Sequence, residues 1–158
     1  MLIAVISDTH GLLRNELLTA LRLHAPAHIL HVGDVGNPTV LAALTSIAPT
    51  TAIRGNIDTS GPCADLPPTE VLNLAGCLIY MIHSLAWIDI HPAAAGISVV
   101  LHGHSHQPSI ETRDGVLYLN PGSCGPRRFH LPITYALLRI SAATPSAEII
   151  SLDAPAVT

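Results

Sequence analysis

The chain has 158 residues, 49% of them apolar, and its eleven acidic residues face seven arginines and no lysine, for a formal charge of −4. Such a length suits one domain with a substantial buried core, and seven scattered arginines leave no electrostatic footprint for general nucleic-acid binding. High hydropathy also argues against a disordered chain, yet the most apolar stretch, residues 85–101, is broken by Asp89, His91, Pro92 and Gly96, short of the roughly 18–20 uninterrupted residues of a spanning helix.

The N-terminal run from Met1 to Ile6 is apolar but short and has no basic leader, unlike a signal peptide. It reads as a strand over residues 2–6, buried on both faces. Residues 15–23 carry Leu17, Leu18 and Leu21 at helical spacing. A second strand follows at 28–32, a second helix at 39–47 and a third strand at 51–54. This β-α-β-α-β order predicts parallel strands with helical crossovers. From Gly55 to Pro68 the composition turns to Gly, Pro, Asp and Ser, marking an irregular loop. Strands are expected at 70–74, 77–82 and 98–102, with Ala75-Gly76 as a turn, and Asp114-Gly115 joins strands 110–113 and 116–119 as a hairpin. Two further strands, 133–140 and 148–152, precede a loose tail over 153–158. The expected class is α/β, one domain over residues 1–158 built on two packed sheets. Cys63, Cys77 and Cys124 are odd in number and form no CxxC pair. They fit a reducing compartment better than a disulfide framework or a cysteine zinc site, so the expected location is the cytoplasm, with no membrane partner.

Five polar clusters stand at predicted strand ends: Asp8-Thr9-His10-Gly11, Gly33-Asp34, Gly55-Asn56-Ile57-Asp58, His83, and Gly103-His104-Ser105-His106. The carboxyl ends of parallel strands form the usual ligand crevice of an α/β sheet. Two Asp, one Asn and four His are metal-ligand chemistry, and the i, i+2 pairs Asp8/His10 and His104/His106 share a face in extended backbone. Seven donors exceed one tetrahedral zinc. They suit two divalent ions roughly 3.5–4 Å apart with one carboxylate between them. Neither a cysteine nor a Ser-His-Asp spacing offers a comparable nucleophile.

In this order, Asp8-x-His10, Gly33-Asp34, Gly55-Asn56, His83 and Gly103-His104-x-His106 resemble the calcineurin-like metallophosphoesterase signature. Asn120-Pro121-Gly122-Ser123 resembles the small bacterial and archaeal phosphodiesterase branch of that superfamily. The resemblance implies a four-layer α/β/β/α sandwich of two mixed sheets. It also implies one ion on Asp8, His10 and His106, a second on Asn56, His83 and His104, and Asp34 between them. Asp34, Asn56 and His83 are then the catalytic candidates. A metal-bridging hydroxide would attack phosphorus in line with the leaving oxygen, the substrate being a small phosphodiester or other phosphate ester. Manganese is the first choice of metal, with iron, nickel or zinc as alternatives, since mixed O/N ligation does not fix identity. The fold also allows a homodimer.

Two positions depart from the family pattern. Ile57 stands where many members carry a histidine that assists the leaving group, as commonly happens in the small phosphodiesterase branch. Loss of that proton donor predicts weak action on poor leaving groups, protonation contributing roughly 10²–10⁴-fold. Ser84 follows His83 where glycine is usual, and the segment to His102 is short, which implies a trimmed lid or helix.

Around this set, Asp58 reads either as a turn cap or as a residue orienting a ligand. His31 and His102, on or next to strands, read first as packed or hydrogen-bonded, with a supporting role as the alternative. Asn120 and Ser123 belong either to a plain Pro-Gly turn or to the support of the metals. Arg127 and Arg128 suit a structural ion pair or a phosphate oxygen. Cys124 carries no mark of a lowered-pKa nucleophile. His24 closes a helix, His28 is a strand residue, and His91 and His130 are loop residues. Two rival functions remain: a non-catalytic interaction scaffold, which the retromer subunit of the same superfamily exemplifies, and a single-metal hydrolase of a non-phosphate ester.

Overall fold

The computed structural model describes residues 1–153. Its first half is the predicted parallel unit. Strand β1 (Leu2–Ile6) leads into helix α1 (Asn15–His24), β2 (His28–His31), helix α2 (Pro38–Thr45) and β3 (Thr50–Ala52). Leu17 and Leu21 give α1 its buried stripe, with Glu16 in the first turn and Arg22 and His24 in the last, as the helix dipole favours. Helix α2 begins one residue earlier than expected, because Pro38 sits at the first helical position and Asn37 accepts from Thr39 N at 2.9 Å.

After a 3₁₀ turn at Gly61–Asp65 come β4 (Thr69–Leu74), β5 (Cys77–Ile82), a 3₁₀ turn at Leu85–Trp87 and β6 (Val99–Leu101). They are followed by β7 (Ser109–Arg113), β8 (Val116–Asn120), β9 (Thr134–Ser141) and β10 (Thr144–Ser151). Two mixed five-stranded sheets result, ordered β10-β9-β1-β2-β3 and β4-β5-β6-β8-β7. Alternation along each strand sorts its side chains between layers. Ile3, Val5, Leu30, Ile79, Met81, Val99, Leu101, Leu119 and Leu138 fill the space between the sheets. Ala4, Ile6, Ile29, Tyr135 and Leu137 face the two helices with Leu17, Leu21, Val40 and Leu44. The outer face of the second sheet is covered by residues 84–98, whose Leu85, Ile88 and Ile97 meet Tyr80, Ile82 and Val100. This fourth layer is thin, a 3₁₀ turn and loop rather than a long helix. Among the described residues no helix is long and apolar enough to cross a membrane.

Parallel pairing matters most for the site. β1, β2 and β3 run parallel, as do β5, β6 and β8. Each sheet therefore presents three carboxyl ends in one direction, and the two sets meet at a seam. His83 Nδ1 donates to Val32 O across it at 2.7 Å, and Ser123 Oγ to Asp8 O at 2.9 Å.

The C-terminal region departs from expectation. β10 starts at Thr144, four residues before the predicted strand, and holds Pro145 opposite Ile140. That proline is tolerated because β10 is an edge strand. Asp153 is not part of a loose tail: its carboxylate accepts from Ile133 N at 3.0 Å and pairs with Arg127. The remainder of the expected tail, residues 154–158, lies outside the described residues.

The β9–β10 hairpin turns through Ala142 and Ala143, both at positive φ (47° and 60°). The left-handed region disfavours a Cβ, whereas Asn-Gly suits a two-residue turn with both central φ values positive. Replacing Ala142-Ala143 by Asn-Gly is expected to stabilise the protein by about 1–2 kcal/mol, read as a rise in urea midpoint at unchanged m-value. An unchanged or lower midpoint refutes this account of the turn.

Candidate metal centre

Asp8 and His10 follow β1, Asp34 follows β2, Asn56 follows β3, His83 follows β5, and His104 and His106 follow β6. The seven candidates thus occupy five loops at one seam. Five of them sit at positive φ: Asp8 (56°), His10 (47°), Asp34 (53°), His104 (67°) and His106 (58°). Backbone in this region is uncommon outside glycine and clusters at functional sites. The extended i, i+2 geometry expected for the two pairs is accordingly not what turns them inward; the kinked loops do so.

Asp8, His10 and His106 form one group and Asp8, Asp34 and His83 another, the ligand atoms of each lying within 4.8 Å of one another. In the first, His106 Nε2 is 3.3 Å from Asp8 Oδ1 and 3.2 Å from His10 Nε2. In the second, His83 Nε2 is 3.3 Å from Asp34 Oδ1 and 4.0 Å from Asp8 Oδ1. Asn56 and His104 lie alongside as a pair, His104 Nδ1 donating to Asn56 Oδ1 at 2.9 Å. The His104 ring is 5.3 Å from that of His83.

Two of these atoms, Asp8 Oδ1 and His83 Nε2, are buried without a hydrogen-bond partner. Such orphans are rare in a folded chain and ask for an occupant. Oxygen and imidazole donors that converge on an anionic, buried point fit a divalent cation.

The electrostatics agree. Burial pushes the Asp8 carboxyl up, but His106, Ser7 and His83 outweigh it and hold the group below its usual range. Asp34 is likewise lowered despite burial, by His83 and the Ile57 amide. His83 goes the other way: burial alone would lower it, and Asp34, the Val32 carbonyl and Asp8 raise it. Both carboxylates are therefore held anionic, and cationic charge is favoured between them.

Glycine makes the close approach of these loops feasible. A Cβ on Gly55 would lie 2.0 Å from Asp34 Oδ1, and one on Gly103 would lie 2.1 Å from Ser7 Oγ and 2.7 Å from Asp8 Oδ2. The backbone passes where only hydrogen fits.

The four supporting candidates all touch this frame. Asp58 accepts from Val35 N, Gly36 N and Gly55 N at 3.0, 2.8 and 2.8 Å, tying the loops after β2 and β3 together. It is more than the local turn cap. His31 Nδ1 accepts from Gly33 N at 3.3 Å, and its Nε2 donates to Thr9 Oγ1 at 2.9 Å. Burial drives its pKa down to about 4, so it serves as a neutral strut. Asn120 Nδ2 donates to Gly103 O and Ser105 Oγ, each at 3.0 Å, bracing the histidine loop. Ser123 braces Asp8 through its carbonyl. Thr9 joins the same frame, its hydroxyl donating to Val35 O at 2.9 Å. Its complete burial within a polar motif is a property the sequence does not display.

The two arginines separate. Arg127 pairs with Asp153 and donates to Leu131 O, a structural use. Arg128 instead brings Nη2 within 3.4 Å of His10 Nε2 at the rim. Cys124 is buried and pushed up to about 12 by desolvation, consistent with an inert thiol.

Residues 1–143 match the calcineurin-like phosphoesterase superfamily domain. A probable metallophosphoesterase of Methanothermobacter thermautotrophicus is 31% identical over 98% of this chain and 95% of its own. Among solved structures, an archaeal phosphodiesterase superposes with a TM-score of 0.73 at 20% identity, covering 95% of this chain and 100% of its own. Vps29 of Chaetomium thermophilum does so with a TM-score of 0.78 at 15% identity, covering 95% of each. The chain belongs to the calcineurin-like phosphoesterase superfamily, and that membership supports a metal-dependent phosphoesterase.

Asp58 offers a direct test of the frame. Asp58→Asn keeps the shape but loses one acceptor oxygen, so manganese affinity measured by equilibrium dialysis is expected to fall about 10–100-fold. Wild-type affinity in a folded variant would show that the clamp does not position the metal donors.

Proposed function

We propose that the protein is a cytoplasmic phosphodiesterase that works with two divalent ions, manganese first among the candidates, on a small phosphodiester. The observation that carries this reading is the pair of buried, unpartnered atoms, Asp8 Oδ1 and His83 Nε2, facing one another among further donors. Asp8, His10 and His106 would hold one ion, and Asn56, His83 and His104 the other, with Asp34 between. When bound, such ions supply an acidified water as nucleophile and offset charge on the phosphoryl oxygens. The rest is the work of the chain's own residues.

Val32 O accepts from His83 Nδ1, which leaves Nε2 as the ring atom that could ligate a cation beside the carboxylates. The Ile57 amide fixes Asp34 Oδ1 at 3.1 Å, and the His104 amide fixes Asp8 Oδ2 at 3.2 Å. Each carboxylate is thus tethered on one oxygen. Arg128, at the rim beside His10, is placed to meet a non-bridging phosphoryl oxygen through its guanidinium. A single rim cation suits the one negative charge of a diester better than the two of a monoester. Ile57 has no acidic proton to donate, so the leaving group departs as an anion or takes its proton from solvent. Good leaving groups are favoured.

The scaffold reading has no use for buried, unpartnered donors or for five kinked ligand residues, and we rank it second. Stripping the protein with a chelator, restoring manganese and assaying bis(p-nitrophenyl) phosphate beside p-nitrophenyl phosphate decides between them. Turnover is expected to require metal and to favour the diester; no turnover of either ester by manganese-loaded protein sinks the catalytic reading. Asp34→Ala is expected to abolish turnover and most metal binding. Arg128→Ala is expected to raise KM about tenfold with kcat less affected, the loss of one charge-assisted hydrogen bond; an unchanged KM removes Arg128 from the substrate site.

A further inference from the structure

Trp87 is the only tryptophan in the chain, and neither sheet buries it. It closes the short 3₁₀ turn Leu85–Trp87 and remains 51% exposed, while Leu85 and Ile88 on either side pack against the second sheet. The indole stands at the rim of the metal centre, its centroid 6.0 Å from the His83 ring and 5.8 Å from the His104 ring. Ser84 anchors the start of the turn, accepting from Ala86 N at 3.4 Å, and is itself buried next to His83. The turn therefore leaves directly from a candidate ligand. The cation at the rim, Arg128, lies beside His10 instead. The mouth of the site therefore combines a flat aromatic wall with a separate point for phosphate charge.

A phosphoryl group seated at the donors must direct its ester substituents outward over this rim. An exposed indole within one ring's reach of two site histidines offers a planar substituent a stacking partner, which an alkyl group or a bare phosphate cannot use equally. We propose that Trp87 is a specificity subsite for the planar base of a nucleoside phosphodiester. This deepens, and rests on, the phosphodiesterase reading above.

Because Trp87 is the sole tryptophan, fluorescence excited beyond the tyrosine absorption band reports on it alone. Manganese-loaded full-length protein is titrated with adenosine 5′-monophosphate and, separately, with ribose 5-phosphate. Saturable quenching by the nucleotide, with emission unmoved by the sugar phosphate, is expected. Equal responses to both, or none to the nucleotide, overturn the subsite. In kinetics, Trp87→Ala is expected to raise KM for thymidine 5′-p-nitrophenyl phosphate about tenfold more than KM for methyl p-nitrophenyl phosphate, the p-nitrophenyl group being common to both. Trp87→Phe, which retains a ring, recovers most of the loss. A Trp87→Ala variant that leaves the ratio of the two KM values unchanged refutes the proposal with the phosphodiesterase reading intact. If the wild-type protein hydrolyses neither ester, the phosphodiesterase reading fails, and the fluorescence titration still decides whether the indole binds a base.

Discussion

Two carboxylates, Asp8 and Asp34, are buried within reach of the same imidazole, and the surrounding structure is arranged to tolerate it. A buried anion is expensive unless paired and hydrogen-bonded. The contrast with Asp58 shows what is unusual. Asp58 is also buried, yet both of its oxygens are occupied by backbone amides from three residues, which makes it a structural clamp. Asp8 has one oxygen met by the His104 amide and the other left bare. The same residue type, at similar depth, is saturated in one place and unsatisfied in the other. Only the unsatisfied kind has coordination capacity to spare, and it is the kind found among the histidines.

Bringing those anions together sets the demands on the backbone. Parallel strands end in step, but a side chain at a strand end points along the sheet's own normal unless the chain kinks. The kinks are visible in φ. Among the described residues eleven non-glycine positions have positive φ, and five are candidate ligands. Most of the others have ordinary explanations: Ala25 ends a helix, and Ala75, Asp114, Ala142 and Ala143 lie in hairpin turns. The left-handed conformation costs roughly 1–2 kcal/mol for a residue with a Cβ. The strain concentrated at the seam is sustained by the two closely packed sheets, by struts such as His31 and Asn120, and by glycines that allow the loops to touch.

These demands also explain how far the sequence could be read. Strand and helix positions along β1–α1–β2–α2–β3 were legible because apolar runs and helical spacing are local signals. So were the hairpins at Ala75-Gly76 and Asp114-Gly115, since glycine marks a positive φ. The turn at Ala142-Ala143 and the start of β10 were not, because two alanines and a proline contradict the local rules that tertiary pairing then overrides. In the site, all seven candidates could be named from their place after strands. The left-handed conformation of five of them could not, and neither could the clamp role of Asp58, whose three amide partners come from two separate loops. Arg127 and Arg128 are adjacent and chemically identical in sequence. Only the fold divides them, one turned to Asp153 and the other to His10.

The thin fourth layer connects the fold to specificity. Crossing from β5 to β6 in a parallel pair requires a connection over the outer face, and here residues 84–98 make it with a single 3₁₀ turn. A long helix would bury its apolar stripe along the sheet and keep its bulk off the seam. The short turn has too few residues to hide every apolar side chain, so Leu85 and Ile88 take the available core and Trp87 is left at the rim. The exposed half of Trp87 gains nothing for folding where it stands, since the hydrophobic contribution scales with area removed from water. Its unburied face is instead free energy held in reserve for whatever covers it, and the position beside His83 and His104 makes that occupant the substrate.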